Sequence, residues 1–429
     1  MPEMSYWSFV FENKKLLIFG LLMTCLSGYG QTYLLALYVP YLIEEFSLQN
    51  AQISVYYMIA TIASAFILPQ VGKYIDKVSL VKYTLLTTVV FILSMILMSY
   101  NQYWYLLPVA FFGLRIAGQG LFSHIAITSM SKYFVKGRGK AISMASLGHP
   151  FGQAALPIIV VALINVFGWR QSLLVNALIV LILVPLYLYF FIDEKKLVIY
   201  EESVGSNDSE PKKEISQWEI MKSKSFWILA PNLFVLAFIV TGLFFYQFAI
   251  ADYKGWSLEW MAVGLTFYAI AGSIAILFSG PLIDKYSART FFPYYLIPFL
   301  IAIIFIWKVD NPLVIFPYMI LMGASAGVGN SIMSALQVEL FGTTYIGKVR
   351  SIFASIMVLS SAIGPAIYGV IVDAGYDFQY VFISSGILMT VAILLSFRII
   401  PNYTYAKMKY KFKKRDRRFD FFNIFTLKR

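Results

Sequence analysis

Twelve apolar stretches, each about as long as a helix needs to cross a bilayer, decide what this chain can fold into. They run over about 16–42, 53–72, 81–99, 104–132, 139–167, 170–192, 226–250, 259–282, 290–308, 311–340, 347–372 and 378–400. A spanning helix needs roughly 20 predominantly apolar residues. Of the 429 residues 59% are hydrophobic and 13% charged, where an ordinary soluble domain has about 25% charged. The runs are long and continuous, whereas a transmembrane barrel strand is about 10 residues long and alternates in polarity, so a barrel is excluded. The expected class is an all-α membrane protein with twelve transmembrane helices. The third, sixth, ninth and twelfth stretches are the most uniformly apolar and are expected to face lipid. The others carry more Gly, Ser, Asn and Gln, as helices facing one another or a wet cavity do.

The chain also repeats itself. At an offset of 208 residues Gly72, Asp76 and Lys77 fall on Gly280, Asp284 and Lys285, and Gly139, Lys140, Ser143 and Pro157 fall on Gly347, Lys348, Ser351 and Pro365. One register for both sets implies two pseudo-symmetric six-helix bundles, 1–192 and 226–400. A duplicated membrane bundle points to a transporter with its binding site between the halves. The halves are joined by 193–225, a polar, charged segment with Gly205 and Pro211 that reads as a cytoplasmic linker, with a short surface helix expected around Gln217–Lys224.

Lysine and arginine set the orientation. With both termini inside, all of these residues except Arg115, Arg170, Lys254 and Lys308 fall on inner segments or in the tail, as the positive-inside rule requires. The expectation is a multi-pass protein of the plasma (inner) membrane with cytoplasmic N- and C-termini. The same distribution accounts for the net charge of +12 without nucleic acid. The tail, 401–429, interleaves aromatics with KYKFKKRDRR. Its place directly after a spanning helix favours attachment to anionic lipid headgroups over single-stranded nucleic acid, which uses similar chemistry. The N-terminus has no small-residue cleavage site after a short apolar core, so the first helix is expected to stay as an uncleaved insertion signal. The single cysteine, Cys25, lies within the first stretch and reads as a small buried apolar residue.

The duplicated loops, GKYIDKVS and GPLIDKYS, are the most specific motif. Each glycine permits a close backbone approach. An acidic residue four positions later can cap a neighbouring helix N-terminus, where the macrodipole favours negative charge. Gly72, Asp76, Lys77, Gly280, Asp284 and Lys285 are therefore the expected cytoplasmic gate, holding the halves together and releasing them as they rock. With twelve spans, a central loop and G-x-x-x-D-[RK] in both halves, the chain resembles the major facilitator superfamily over nearly its whole length. The first copy continues Val78-Ser79-Leu80-Val81-Lys82 and keeps one late basic residue, and the second keeps Arg289. The fourth stretch carries Arg115-Ile-Ala-Gly118-Gln119-Gly120, which looks like that family's second signature. A charge at membrane depth is expensive. Two readings of Arg115 stand side by side: a guanidinium satisfied by carbonyls of the first helix, with Gly118 and Gly120 as packing contacts, or a counter-charge for an anionic solute or a coupling proton.

The fifth stretch opens KYFVKGRGKAISMASLGHPFGQAALP, which resembles the monocarboxylate and oxalate–formate branch. That branch commonly places a cation in its eighth or eleventh helix; here 259–282 has none, and Lys348 and Arg350 sit at the edge of the eleventh. Ser146, His149 and Gln153 share one helix face. His149-Pro150 implies a locally broken helix, tolerated where it lines a cavity. His149 either titrates and carries a proton or is a neutral interhelical hydrogen-bonding group, while His124 is expected to pack. Gln31 follows Gly28 and Gly30, Tyr246 and Gln247 lie late in the seventh stretch, and Gly323, Gly327, Asn330 and Ser334 share a face of the tenth. Gln31, Gln119, Gln153, Tyr246, Gln247 and Asn330 are the expected recognition groups, with interhelical hydrogen bonding as the competing role for each. No Walker-type phosphate loop, zinc-type His/Cys cluster or nucleophile elbow occurs, so an enzyme is not expected and no cofactor or metal is called for. The function expected is secondary transport of a small organic solute, with a preference for an organic anion, by proton coupling or exchange through a monomer. Export of amphiphilic compounds on the same fold, or a non-transporting receptor, are the alternatives.

Overall fold

The computed structural model describes residues 6–134, 137–193, 217–341 and 346–399. The linker segment 194–216 and the basic tail, on which a surface loop and lipid attachment were expected, lie outside the described residues, as does the side chain of Asp284. The regular elements in the described residues are all helices. Ten are long and apolar enough to cross a membrane: α2 (Asn50–Asp76), α3 (Leu80–Tyr100), α4 (Trp104–Tyr133), α5 (Arg138–Phe167), α6 (Trp169–Phe191), α7 (Lys224–Phe245), α8 (Leu258–Ile283), α10 (Pro312–Phe341), α11 (Lys348–Asp373) and α12 (Phe378–Ile399). The first and ninth expected spans are interrupted. The first is α1 (Lys14–Leu26), a 3₁₀ turn at Ser27–Gly30 and a short helix at Thr32–Leu35; in the ninth, α9 (Ile297–Lys308) follows Ala288–Phe291 after a turn that contains Pro293. The expected surface helix is present at Gln217–Lys222.

Within the first half α3 packs on α6, and α1 packs on α5; within the second, α8 lies along α10, α7 along α11 and α9 against α12. Leu86 and Leu93 of α3, Tyr189 and Phe190 of α6, Ile301 and Ile304 of α9 and Ile387 and Leu394 of α12 are all exposed. Apolar surface of this extent suits a lipid-facing perimeter, and it is not confined to these four helices: Phe66 of α2, Phe151 of α5, Leu277 of α8 and Val370 of α11 are exposed as well. The halves meet along α2 with α11, α5 with α8, and the extension of α1 with α7. One end of the molecule carries Lys14, Lys73, Lys140, Lys285 and Arg350 and is called the basic end; the other is the far end.

Glycine sets the closest helix approaches. A Cβ on Gly148 would lie 2.0 Å from the carbonyl oxygen of Leu21, and one on Gly152 would lie 2.7 Å from that of Cys25. That clears the seat of α5 against α1, where Cys25 is buried as a free thiol. In the second half, a Cβ on Gly323 would meet the Tyr268 carbonyl oxygen at 2.2 Å and one on Gly327 that of Gly272 at 2.3 Å. Small residues let backbones touch where lipid supplies no hydrophobic drive.

Candidate functional site

The middle of α4 is not α-helical. Leu114–Phe122, which contains Arg115, Gly118, Gln119 and Gly120, is a π-helix, a rare form that is frequent at functional sites. It packs against the 3₁₀ turn Ser27–Gly30. A Cβ on Gly30 would sit 2.2 Å from the backbone nitrogen of Gln119 and 2.4 Å from the carbonyl oxygen of Leu114, and a Cβ on Gly118 would sit 2.8 Å from Gly30 Cα. The two irregular segments thus fit backbone to backbone and carry Gln31, Arg115 and Gln119 into the space between the halves. Gly120 instead faces the Leu68 side chain.

That space is a cavity of about 270 Å³ bounded by both halves. Gln31, Arg115, Gln119, His149, Gln153 and Asn330 line it. His149 and Asn330 are the more exposed of these, and Gln153 is buried. A turn at Leu147 splits α5 just before His149, between Arg138–Ser146 and Gly148–Phe167, in keeping with the expected local break. Ser146 and Ser334, expected on the same faces, are exposed but are not among the lining residues.

Arg115 is 4% exposed. Its Nη1 donates to the Gly30 carbonyl oxygen at 3.2 Å, its Cζ lies 5.0 Å from the centre of the Tyr57 ring, and its buried Nε has no hydrogen-bond partner. A guanidinium has five N–H donors, and a buried donor left unpaired costs about 1–3 kcal/mol. Both sequence readings therefore hold part of the geometry: a carbonyl of the first helix takes one donor, and the group still lines the cavity without a carboxylate. Among the lining residues Arg115 is the one permanent charge, and no Asp or Glu occurs.

The second half contributes Thr241, Phe244, Tyr268, Ser273 and Ser361, with Gly272, Gly323 and Gly327 between them. The 208-residue offset puts Arg115 on Gly323, Gln119 on Gly327 and Gln153 on Ser361, and all six line the cavity. Matched positions thus carry long polar side chains in the first half and small ones in the second. The cavity is lopsided in charge and has an aromatic wall, Phe244 edge-on to Tyr268 at 5.0 Å.

Tyr246 and Gln247 lie outside the lining. Tyr246 is 1% exposed and Gln247 2% exposed, and both tie the halves together: Tyr246 Oη donates to the Asn50 carbonyl oxygen at 3.0 Å and Gln247 Nε2 to that of Tyr33 at 2.7 Å. The helix changes course at Tyr246, between α7 and Gln247–Tyr253, which turns this polar pair from the cavity to the seam. Further bonds in that seam run from Thr266 Oγ1 to the Ala154 carbonyl oxygen at 2.9 Å and from Asn165 Nδ2 to Glu259 Oε1 at 2.8 Å.

At the basic end the repeated loops differ in their surroundings. Gly72 faces His124, whose Nε2 is 3.1 Å from the Gly72 carbonyl oxygen, so His124 bonds the first repeated loop as well as packing. Asp76 pairs with Lys132 of its own half at 3.9 Å, and Lys77 lies over the Tyr74 ring and Lys285 over Tyr286. Gly280 sits inside a helix that continues to Tyr286, with nothing within 4 Å of an added Cβ. The close approach expected at both glycines occurs at Gly72 alone, because the offset puts His124 on the buried Ile332. Gly72→Ala must displace an imidazole 3.2 Å from its Cβ and is expected to destabilise by about 1 kcal/mol. Gly280→Ala should stabilise by roughly 0.5–1 kcal/mol through helix propensity. Thermal melting of the two purified variants checks this, and equal shifts of the same sign would refute the asymmetry.

The fold and its cavity define a multi-pass helical membrane protein with a cavity between two halves. The Major Facilitator Superfamily profile matches residues 20–272 and 250–424, and the chain belongs to that superfamily: it is a secondary transporter of a small solute and not an enzyme. No curated protein matches the chain closely. Among solved structures, a bacterial homologue of the human lysosomal transporter Spinster, inward-facing and unoccupied, is 15% identical with a TM-score of 0.71 over 90% of this chain and 96% of that one. Its occupied inward-facing form is 15% identical with a TM-score of 0.69 over the same shares. The nucleoside transporter NupG is 14% identical, with a TM-score of 0.70 over 90% and 98%. At these identities the likeness is one of fold.

Proposed function

We propose that the chain carries a small organic anion through the plasma membrane by alternating access, with both termini cytoplasmic and with 1–192 and 226–400 rocking about the central cavity. The observation that carries this reading is a solute-sized cavity whose one permanent charge is a buried, incompletely paired arginine with no carboxylate beside it. An anionic group would complete the donor set of Arg115, and Gln31, Gln119, Gln153 and Asn330 would bind neutral polar atoms of the same solute. Because the second half offers no cation to the lining, a single negative charge suits the site better than the two of a dicarboxylate. His149 on the cavity wall is the group proposed to carry a coupled proton. With the far-end seam bonded and a likeness to inward-facing relatives, the state is read as open to the cytoplasm. The gate roles of Asp76 and Asp284 belong to the opposite state.

The aromatic wall of Phe244 and Tyr268 favours a second reading, export of amphiphilic compounds. Purified protein in proteoliposomes, screened against monocarboxylates, dicarboxylates, neutral nucleosides and amphiphilic cations with and without a pH gradient, separates the two. Gradient-stimulated flux of monocarboxylates is the expected result. Flux of cations with none of monocarboxylates would overturn it, and monocarboxylate flux indifferent to the gradient would remove the proton role of His149.

A further inference from the structure

The longest contact between the halves runs along α2 and α11, two helices of opposite chain direction. Each ends in an aspartate: Asp76 closes α2 at the basic end and Asp373 closes α11 at the far end. The far-end aspartate reaches across the seam to the first turn of α2. Its Oδ1 accepts from the backbone nitrogen of Asn50 at 3.1 Å and from Asn50 Nδ2 at 3.0 Å, and its Oδ2 accepts from the backbone nitrogen of Ala51 at 2.6 Å. The first N–H groups of a helix have no partner within it. Here two are met from 323 and 322 residues away, while Gln49 and Gln52 form a capping box on the same turn. A carboxylate is the favoured group at that position. Around the contact the backbones touch: a Cβ on Gly369 of α11 would lie 2.8 Å from Ala51 N and 2.5 Å from Tyr246 Oη.

The basic end shows the complementary arrangement. Asp76 is bonded to Lys132 within its own half, and its side chain is 68% exposed. On the same two helices Gln70, Lys73 and Tyr74 of α2 and Ser351, Ala354 and Ser355 of α11 are exposed. Among the described residues one aspartate is engaged across the seam, and its counterpart at the other end of the same helix pair bonds within its own half.

We infer that Asp373 is the latch of the far gate, a positioning residue that closes this end by capping α2, and that Asp373 and Asp76 engage in alternation as the halves rock. The latch acts through the conformational balance and touches no solute. It is exposed, so its contribution is that of a helix cap at a wet surface, on the order of a five- to tenfold change in the ratio of the two states.

This rests on the alternating-access reading, and the test keeps the two apart. In full-length protein carrying Cys25→Ala, reconstituted in nanodiscs, spin labels at Glu44→Cys and Tyr376→Cys report the far end by pulsed dipolar spectroscopy. Labels at Lys73→Cys and Ser355→Cys report the basic end. All four sites are exposed. Asp373→Ala is expected to raise the population of long far-end distances about five- to tenfold and to shorten the basic-end distances in step. Asp373→Glu should restore the parent distributions, and Asp377→Ala, which removes a carboxylate with no capping bond, should leave them unchanged. If Asp373→Ala does not fold, Asp373→Asn is read in its place. A parent that populates two distances unaltered by a folded Asp373 variant overturns the latch but spares the rocking. A single distance at each end under every solute tested, in parent and variants alike, overturns both.

Discussion

Arg115→Ala is expected to abolish transport of anionic solutes while sparing the fold. Truncating one partner of a buried, hydrogen-bonded charge pair costs about 2–5 kcal/mol, a loss of roughly thirty- to several-thousand-fold in affinity. Two features make the effect large here. The cavity lining has no second permanent cation to take over, and Gln119 and Gln153 are neutral. Arg115→Lys should recover part of the affinity, because an ammonium supplies charge but not the planar fork that binds a carboxylate through two bonds. Neutral analogues of the same solute should bind Arg115→Ala and parent alike. Binding measured by calorimetry on detergent-purified protein, with thermal melting as the control for folding, gives the comparison. Unchanged anion affinity in a folded Arg115→Ala would leave Arg115 as a packing element held by Gly30 and Tyr57, and the anion reading would fall with it.

The membrane fold was legible because spanning a bilayer leaves a length and a composition in the sequence. The 208-residue offset was legible for the same kind of reason: Gly72/Gly280 and Asp76/Asp284 are landmarks of a duplicated order of elements. What the offset hides is divergence. His124 is matched by Ile332 and Arg115 by Gly323, so two loops with one motif sit in unlike surroundings, and the halves of one cavity carry unlike charge. The π-helix at Leu114–Phe122 and the break at Ser27–Gly30 left no periodic signal. The two fit against each other, a contact made across some 85 residues. Nothing in the sequence sets Phe244 and Tyr268 apart from the other members of 37 phenylalanines and 30 tyrosines, since one aromatic facing a cavity looks in sequence like any other. Tyr246 and Gln247 lie in the seam and not in the cavity lining for a related reason. Polar residues late in a span imply a partner but do not name it, and here the partners are the carbonyls of Asn50 and Tyr33.

The junction of those two irregular segments is where a single methyl group should do the most structural damage. Gly30→Ala places a Cβ 2.2 Å from the Gln119 backbone nitrogen and 2.4 Å from the Leu114 carbonyl oxygen. Both neighbours are backbone, so no side chain can swing aside. Relief requires the 3₁₀ turn of the first span to withdraw from the π-helix of α4. Overpacking typically costs about 1–3 kcal/mol, and more where the structure cannot give, so about 3 kcal/mol or more is expected here. The same withdrawal lengthens the 3.2 Å bond from Arg115 Nη1 to the Gly30 carbonyl oxygen, leaving a second guanidinium donor unpaired in a buried site. Stability and anion affinity should therefore fall together in Gly30→Ala, whereas Arg115→Ala should lower affinity alone. Gly139→Ala is the matched control, since nothing lies within 4 Å of its added Cβ and helix propensity favours the alanine. Thermal melting and anion binding of the three variants decide the matter. A Gly30→Ala protein that melts and binds like the parent would mean that the contact between the two irregular segments is looser than 2.2 Å implies, and that the π-helix is held open by something other than this turn.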